Sequence, residues 1–150
     1  MANWKKLLEK TNMELEPFGF ILDVEYSASD RCYKIWHTER GIEFIQGNLS
    51  KDELCEEINI AAYDLIKETI KKPKDVSRFF RWLYEQKHLS FHPDDDFKDY
   101  VCYGTLKRSF TDREASALNS VMDECWSVCE DADVNIYDLC NIEYDKLFGR

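Results

Sequence analysis

The chain has 150 residues, of which 44% are hydrophobic and 14% aromatic. This composition indicates a packed globular protein and excludes a disordered chain, which would be poorer in aromatic residues. Thirty acidic and 20 basic residues give a formal net charge of −10. That charge disfavours a protein that coats nucleic acid, because phosphates would be repelled over much of the surface, and it favours a basic protein partner or the imitation of a polyanion.

The length predicts a single domain over residues 1–150. Apolar runs are only a few residues long, so no membrane span is expected. The first six residues lack the apolar core and cleavage site of a secretory signal, which favours a cytoplasmic protein. The six cysteines are therefore expected as reduced thiols rather than as disulfides.

The N-terminal third predicts a short helix and three strands. Asn3 is a candidate N-cap for a helix that ends near Met13. Alternating apolar and polar residues predict strands over 18–26, 31–38 and 42–46. Their short polar connections indicate an antiparallel meander with one buried face, and such a small sheet needs a cover.

Three further helices are expected after the sheet. A capping box at Ser50 starts an amphipathic helix over 50–71, which is the natural cover. Asp75 is a candidate cap for a helix that ends near Lys87. A second capping box at Thr111 starts a helix of about five turns. A last helix begins at Asp133 or Asn135. The fold class is thus α+β, with a three-stranded antiparallel meander packed against a long helix and a mostly helical C-terminal half.

The segment from Lys71 to Lys87 is basic, with a local net charge of +4. It interleaves aromatic residues with cations, a combination that can stack on bases and meet phosphates. The alternative is a core helix with its aromatics inward and its cations on the solvent face or paired with the acidic C-terminal half. The candidate nucleic-acid-binding residues are Lys71, Lys72, Lys74, Arg78 and Arg81.

The segment 111–150 has a net charge of −7. Spaced carboxylates on a helix can occupy the phosphate subsites of a nucleic-acid-binding groove, although most charged faces only solubilise a protein. The candidate partner-binding residues are Asp112, Glu114, Asp123, Glu124, Glu130 and Asp131.

Metal or thiol chemistry is the third possibility. His88, His92 and Asp94 carry ligand atoms for a divalent metal, but Pro93 interrupts any helix that would bring both histidines to one face. Cys125 and Cys129 lie one helical turn apart on an apolar stripe, where a free thiol is an ordinary small hydrophobe. The sequence contains no phosphate-binding glycine loop and no dinucleotide fingerprint, so no cofactor is expected.

Three short motifs carry a resemblance: His92-Pro93-Asp94-Asp95-Asp96-Phe97, Phe110-Thr111-Asp112-Arg113-Glu114-Ala115 and Asn135-Ile136-Tyr137-Asp138. In this order they resemble small proteins of unassigned activity from phages and other mobile elements of gut Firmicutes. The resemblance covers about residues 90–140 and implies a cytoplasmic setting in which small acidic inhibitors of host defence are common. It implies no catalytic residue.

The first functional hypothesis is therefore a non-enzymatic interaction protein, acting as an acidic inhibitor of a host nucleic-acid-targeting defence system. The alternatives are a nucleic-acid-associated accessory protein that uses the segment 71–87 and a metal- or thiol-dependent enzyme.

Overall fold

A computed structural model describes residues 3–37, 41–42, 50–87, 93–98 and 110–148. The fold is α+β, as predicted, with one antiparallel sheet near the N-terminus and helices throughout. The chain divides into two compact units, Met1–Leu65 and Ile66–Arg150. That the chain forms one domain stays a prediction.

Helix α1 (Trp4–Leu15) begins where the sequence predicts. The Asn3 Oδ1 atom accepts hydrogen bonds from two backbone N–H groups of the first turn, at 3.1 and 3.3 Å. These bonds satisfy donors that have no partner inside the helix. A short 3₁₀ turn, Glu16–Phe18, follows, and Gly19 ends it with a φ of +81°, which favours glycine. The predicted strand over 18–26 therefore starts later, because its first residue is helical.

Strands β1 (Leu22–Ser27) and β2 (Cys32–His37) form an antiparallel pair. Leu22 lies opposite His37, and Ser27 lies opposite Cys32. The predicted alternation is confirmed in part. Leu22 and Ile35 are buried on one face and Asp23 and Trp36 are exposed on the other, but Tyr26 is 55% exposed and Cys32 is buried.

The three-stranded meander is not supported. Of the predicted third strand over 42–46, only Ile42 is described, and the remainder lies outside the described residues. The two-residue segment Gly41–Ile42 pairs with Ile35 and Trp36 of β2. The structure thus shows a two-stranded antiparallel sheet with a short bridge at the edge of β2.

Helix α2 (Lys51–Thr69) starts with the predicted capping box. The Ser50 hydroxyl accepts from the Glu53 N–H at 3.1 Å, and the Glu53 carboxylate accepts from the Ser50 N–H at 3.4 Å. Its apolar positions at helical spacing are buried. That this helix covers the sheet stays a prediction.

Helix α3 (Pro73–Gln86) begins earlier than predicted. Asp75 lies inside the first turn and is not the N-cap. Its carboxylate accepts from the N–H groups of Lys71 and Lys72, both at 3.0 Å, and so serves donors that precede the helix. Proline suits the first helical position, because its missing N–H would have no partner there.

Helices α4 (Asp112–Asp131) and α5 (Ile136–Phe148) complete the second unit. The capping box of α4 is confirmed, with the Thr111 hydroxyl 3.1 Å from the Glu114 N–H. Asn135, one of the two predicted starts of the last helix, accepts from the Tyr137 N–H at 2.9 Å. Helix α3 packs against both α4 and α5. Ile142 of α5 is 51% exposed.

Candidate functional site: an acidic surface around a tryptophan

The aromatic residues of the basic segment are buried in the core. Phe79 and Phe80 have no exposed surface, and Trp82 and Tyr84 are 4% and 3% exposed. Phe79 stacks on Trp82, with ring centroids 5.9 Å apart. A nucleic-acid base cannot reach these rings, so the stacking hypothesis for the segment 71–87 is wrong in its aromatic part.

Lys74, Arg78 and Arg81 lie on the side of α3 away from these rings, and both arginines are paired. The Arg81 guanidinium donates to the buried carboxylate of Glu143 at 2.9 Å, and this bond raises the pKa of Arg81. Arg78 pairs with Asp75 at 3.1 Å. The exposed lysines are Lys71, Lys72 and Lys74. The alternative interpretation, a core helix that pairs with the acidic C-terminal half, is confirmed for Arg81.

The described thiols of the second unit belong to the core. Burial raises the pKa of Cys125, Cys129 and Cys140, so these thiols stay protonated at neutral pH. The Cys140 Sγ atom lies 2.8 Å from the Tyr84 hydroxyl inside the core. Core packing, predicted for Cys125 and Cys129, is confirmed, and none of the three resembles an activated nucleophile.

Two of the three candidate metal ligands, His88 and His92, lie outside the described residues. Within the ranges that the structure describes, no group of three or more His, Cys, Asp or Glu side chains could hold a metal ion. Asp94 is described and belongs instead to the acidic surface below.

Helix α4 presents most of the predicted acidic residues to solvent. Because each residue turns an α-helix by about 100°, Asp112, Asp123 and Glu130 share one side of the exposed face. Glu124 and Asp131 lie beside them. Glu114 is a correction to the predicted set, since it is buried and its carboxylate accepts from the Thr111 N–H at 3.0 Å.

The loop 93–98 lies against α4 and forms an acidic cleft of about 290 Å³ with it. Carboxylates come from both segments, with Asp94, Asp95 and Asp96 on the loop and Asp123 on the helix. The other lining residues are Pro93, Asn119, Met122 and Trp126. The structure thereby joins the aspartate loop and the acidic helix, which the sequence treated as separate candidates.

Hydrogen bonds hold this loop in place. The Trp126 indole N–H donates to the Pro93 carbonyl at 3.2 Å. The Asn119 side chain accepts from the Phe97 N–H and donates to the Asp96 carboxylate. Asp96 also accepts from the Lys98 N–H at 2.8 Å, so it caps a short turn. With Phe97 buried, the loop is anchored at both ends.

Tyr137, at the start of α5, contacts two residues that line this cleft. Its hydroxyl donates to the Asp94 carboxylate, which raises the pKa of Tyr137 to about 12. Its ring meets the Trp126 ring edge to face, with centroids 5.6 Å apart. A second cleft, of about 490 Å³, shares Trp126 with the first. It is lined by Trp126, Cys129, Glu130, Asp133, Val134, Asn135, Ile136 and Tyr137.

We call this region the Trp126 surface. It consists of two aromatic side chains and the carboxylates around them. Its members are Trp126, Tyr137, Asp94, Asp95, Asp96, Asp123, Glu130 and Asp133. Asp112, Glu124 and Asp131 lie outside it. Sequence reasoning missed both aromatic members. The sequence does contain one indication of Trp126, which lies at the border of the apolar stripe of α4. A large amphipathic side chain at such a border can pack on one side and meet solvent on the other.

Neither a protein-family model, nor a curated protein, nor a solved structure matches the chain. Across the described ranges, no helix is long and apolar enough to cross a membrane. The geometry of the Trp126 surface is therefore the basis for inferring function.

Proposed function

We propose that this chain is a non-enzymatic interaction protein that binds the cationic side chains of a basic protein partner at the Trp126 surface. One observation carries the proposal: two chain segments place their carboxylates around a shared tryptophan, in clefts large enough for a lysine or arginine side chain.

The chemistry of the surface suits a cation better than an anion or a neutral ligand. A lysine or arginine side chain can lay its aliphatic stem on an aromatic ring and place its charge near carboxylates. A cation over an exposed tryptophan gains roughly 0.5–1 kcal/mol, and each exposed ion pair adds roughly 0.2–1 kcal/mol. Several such contacts acting together give specific but salt-sensitive binding.

The surface is also held in shape before binding. The Tyr137 hydroxyl orients Asp94, and Asn119 and the Lys98 N–H orient Asp96. A preorganised site binds more tightly, because less conformational freedom is lost when the partner docks.

The partner class that fits this surface is a nucleic-acid-binding groove, in which lysine and arginine side chains normally meet phosphates. Carboxylates spaced over a loop and a helix take the place of those phosphates, and the net charge of −10 steers the encounter. On this proposal the chain is an inhibitor of a host nucleic-acid-targeting defence system, encoded by a mobile element and acting in the cytoplasm.

The first test measures binding of a lysine oligomer by NMR. The reporter is the indole N–H signal of Trp126, assigned with a Trp126→Phe variant. The double variant Asp123→Lys/Glu130→Lys should weaken binding at least about tenfold, since two attractive contacts become repulsive. The matched control, Asp131→Lys/Asp145→Lys, makes the same change of charge at exposed positions outside both clefts and should retain most of the affinity. Equal losses in the two variants would show a diffuse charge effect and contradict the proposed site.

The second test addresses the partner class. A host protein that is retained by the wild-type chain and not by Asp123→Lys/Glu130→Lys should be displaced by duplex DNA or RNA. Such competition is expected only if the Trp126 surface occupies the partner's nucleic-acid groove. Retention that persists in excess nucleic acid would contradict the inhibitor proposal while leaving cation binding at the Trp126 surface intact.

A further inference from the structure

Within the residues that the structure describes, β1 is an edge strand, and the Asn12 side chain already makes the backbone hydrogen bonds that another strand would make there. The Asn12 side chain accepts from the Leu22 N–H at 2.7 Å and donates to the Leu22 carbonyl at 2.9 Å. In the described part of the chain, β1 pairs with β2 on its other side and with no further strand. Asn12 therefore occupies only the first position of this edge.

The remaining positions of the edge follow from the alternation of backbone groups. In an antiparallel pair, every second residue directs its N–H and C=O away from the partner strand. Because the Leu22 groups point away from β2, those of Val24 and Tyr26 do so too. Tyr26 is 55% exposed. Two residues of β1 thus present a donor and an acceptor each to an incoming strand.

An apolar groove of about 550 Å³ lies next to this edge. Met13 and Ile21, two of its lining residues, are 71% and 54% exposed. Glu9 and Glu16 also line it, and Asn12 joins it to the edge. Because Asn12 holds the Leu22 position and also lines the groove, the end of a peptide that pairs with Val24 lies next to the groove.

The charges of β1 determine which kind of strand can pair with its open edge. Asp23 and Glu25 are exposed on one face of the strand, and Lys34 lies opposite Glu25 on β2. Two β1 strands paired antiparallel about Val24 would set Asp23 of one copy against Glu25 of the other, and like charges directly opposite each other are destabilising. A strand with basic residues at these positions would gain cross-strand ion pairs instead.

We propose that the edge of β1 binds an extended basic peptide, which adds a strand to the sheet beyond Asn12. Backbone hydrogen bonds to Val24 and Tyr26 supply affinity, and alternating side chains supply selectivity. Basic residues of the peptide lie beside Asp23 and Glu25, while its apolar residues lie beside Val24 and Tyr26 on the opposite face. The end of the peptide adjoins the groove at Met13 and Ile21. This surface is separate from the Trp126 surface, and it does not depend on the function proposed for that site.

The test uses a synthetic peptide in which lysine and valine alternate, with a glutamate–valine peptide as its control. Binding is followed on the full chain by NMR. Val24→Pro removes an outward N–H without removing a bond to β2, and proline is tolerated at such edge positions. It should weaken binding at least about tenfold, since it removes a backbone hydrogen bond and obstructs the edge. Val24→Ala keeps the N–H and should bind within about threefold of the wild-type chain. Cross-strand signals between residues 23 and 36 report that both variants keep the sheet.

A charge exchange provides a second readout that does not depend on proline. Asp23→Lys/Glu25→Gln should weaken the lysine–valine peptide roughly fivefold and strengthen the glutamate–valine peptide. Three results would overturn the proposal: no binding by the wild-type chain, equal binding by Val24→Pro and Val24→Ala, or a concentration-dependent dimer that Val24→Pro abolishes, which would identify a second copy as the occupant. Because Asp123→Lys/Glu130→Lys leaves β1 unchanged, failure of either proposed surface can be recognised separately.

Discussion

Helices α3 and α4 each combine aromatic and charged residues, yet they use them in opposite ways. In α3, Phe79, Phe80, Trp82 and Tyr84 all face the core, and the cations lie on the other side. In α4, Trp126 is half-buried and lies among carboxylates. A mixed composition therefore does not by itself make a binding surface. What matters is whether the ring and the charges meet on the same side of the helix.

The positions of the aromatic residues around each helix axis explain this difference. The aromatic residues of α3 follow one another so closely that they cover much of one side of the helix, which becomes the side that packs against α4 and α5. The single tryptophan of α4 lies at the border of its apolar stripe, where one edge of the ring packs and the other meets the loop 93–98.

The largest expected effect comes from the core of α3. Phe80→Ala should lower the free energy of unfolding by about 3–5 kcal/mol, because it removes a completely buried ring. Trp126→Phe should lower it by only about 1 kcal/mol, since a ring remains and one hydrogen bond is lost. Chemical denaturation of the two variants measures both values. A loss of under 1 kcal/mol for Phe80→Ala, or an equal loss for both variants, would remove the contrast between the two helices.

An intermediate effect is expected at the ion pair of α3. Arg81→Met leaves the buried Glu143 carboxylate without its guanidinium and should cost roughly 1–3 kcal/mol. Arg81→Met/Glu143→Met should recover part of this loss, because no buried charge remains. Lys74→Met, at an exposed position of the same helix, should change stability by less than about 0.5 kcal/mol. If Lys74→Met lowers the free energy of unfolding as much as Arg81→Met does, the Arg81–Glu143 ion pair makes no specific contribution to stability.

The smallest expected effect is a change in the titration of the tyrosines when Tyr137 is replaced. The Tyr137 hydroxyl donates a hydrogen bond to the Asp94 carboxylate, which raises the pKa of Tyr137 from 10.0 to about 12. The folded-state pKa is raised, so the contribution of this bond to stability is fully present below about pH 10 and is lost as the pH rises through about 12. The pKa of Tyr84 is raised mainly by burial. Ultraviolet titration should therefore lose one high-pH transition in Tyr137→Phe. Loss of a transition near pH 10, rather than near pH 12, would contradict the Tyr137–Asp94 bond.

Local features of this fold could be read from the sequence with little error. Asn3, Ser50, Thr111 and Asn135 mark the starts of four helices because each side chain bonds to backbone groups within three residues of itself. The start of β1 was placed too early because the apolar residues around Phe18 fit a strand pattern as well as a 3₁₀ turn. Asp75 was placed outside its helix, but its carboxylate lies in the first turn and accepts from backbone N–H groups that precede the helix.

The candidate site was only half predictable. The acidic members of α4 were expected, because charges on the exposed side of an amphipathic helix follow from its periodicity. Glu114 was wrongly included, since a glutamate in a capping box turns back toward the backbone. Trp126 was missed because its role depends on Pro93, which lies 33 residues away in the chain.

The sequence by itself determined the α+β class, the caps of four helices, the antiparallel pairing of the first two strands and most of the acidic side of α4, since each rests on interactions between near neighbours or on a regular period. Only the tertiary structure decided which aromatic residues are accessible. Burial of Phe79 and Phe80 and the position of Trp126 between two clefts depend on which helix faces meet and on where the loop 93–98 lies. Those contacts join residues far apart in the chain, and a local pattern contains no information about them.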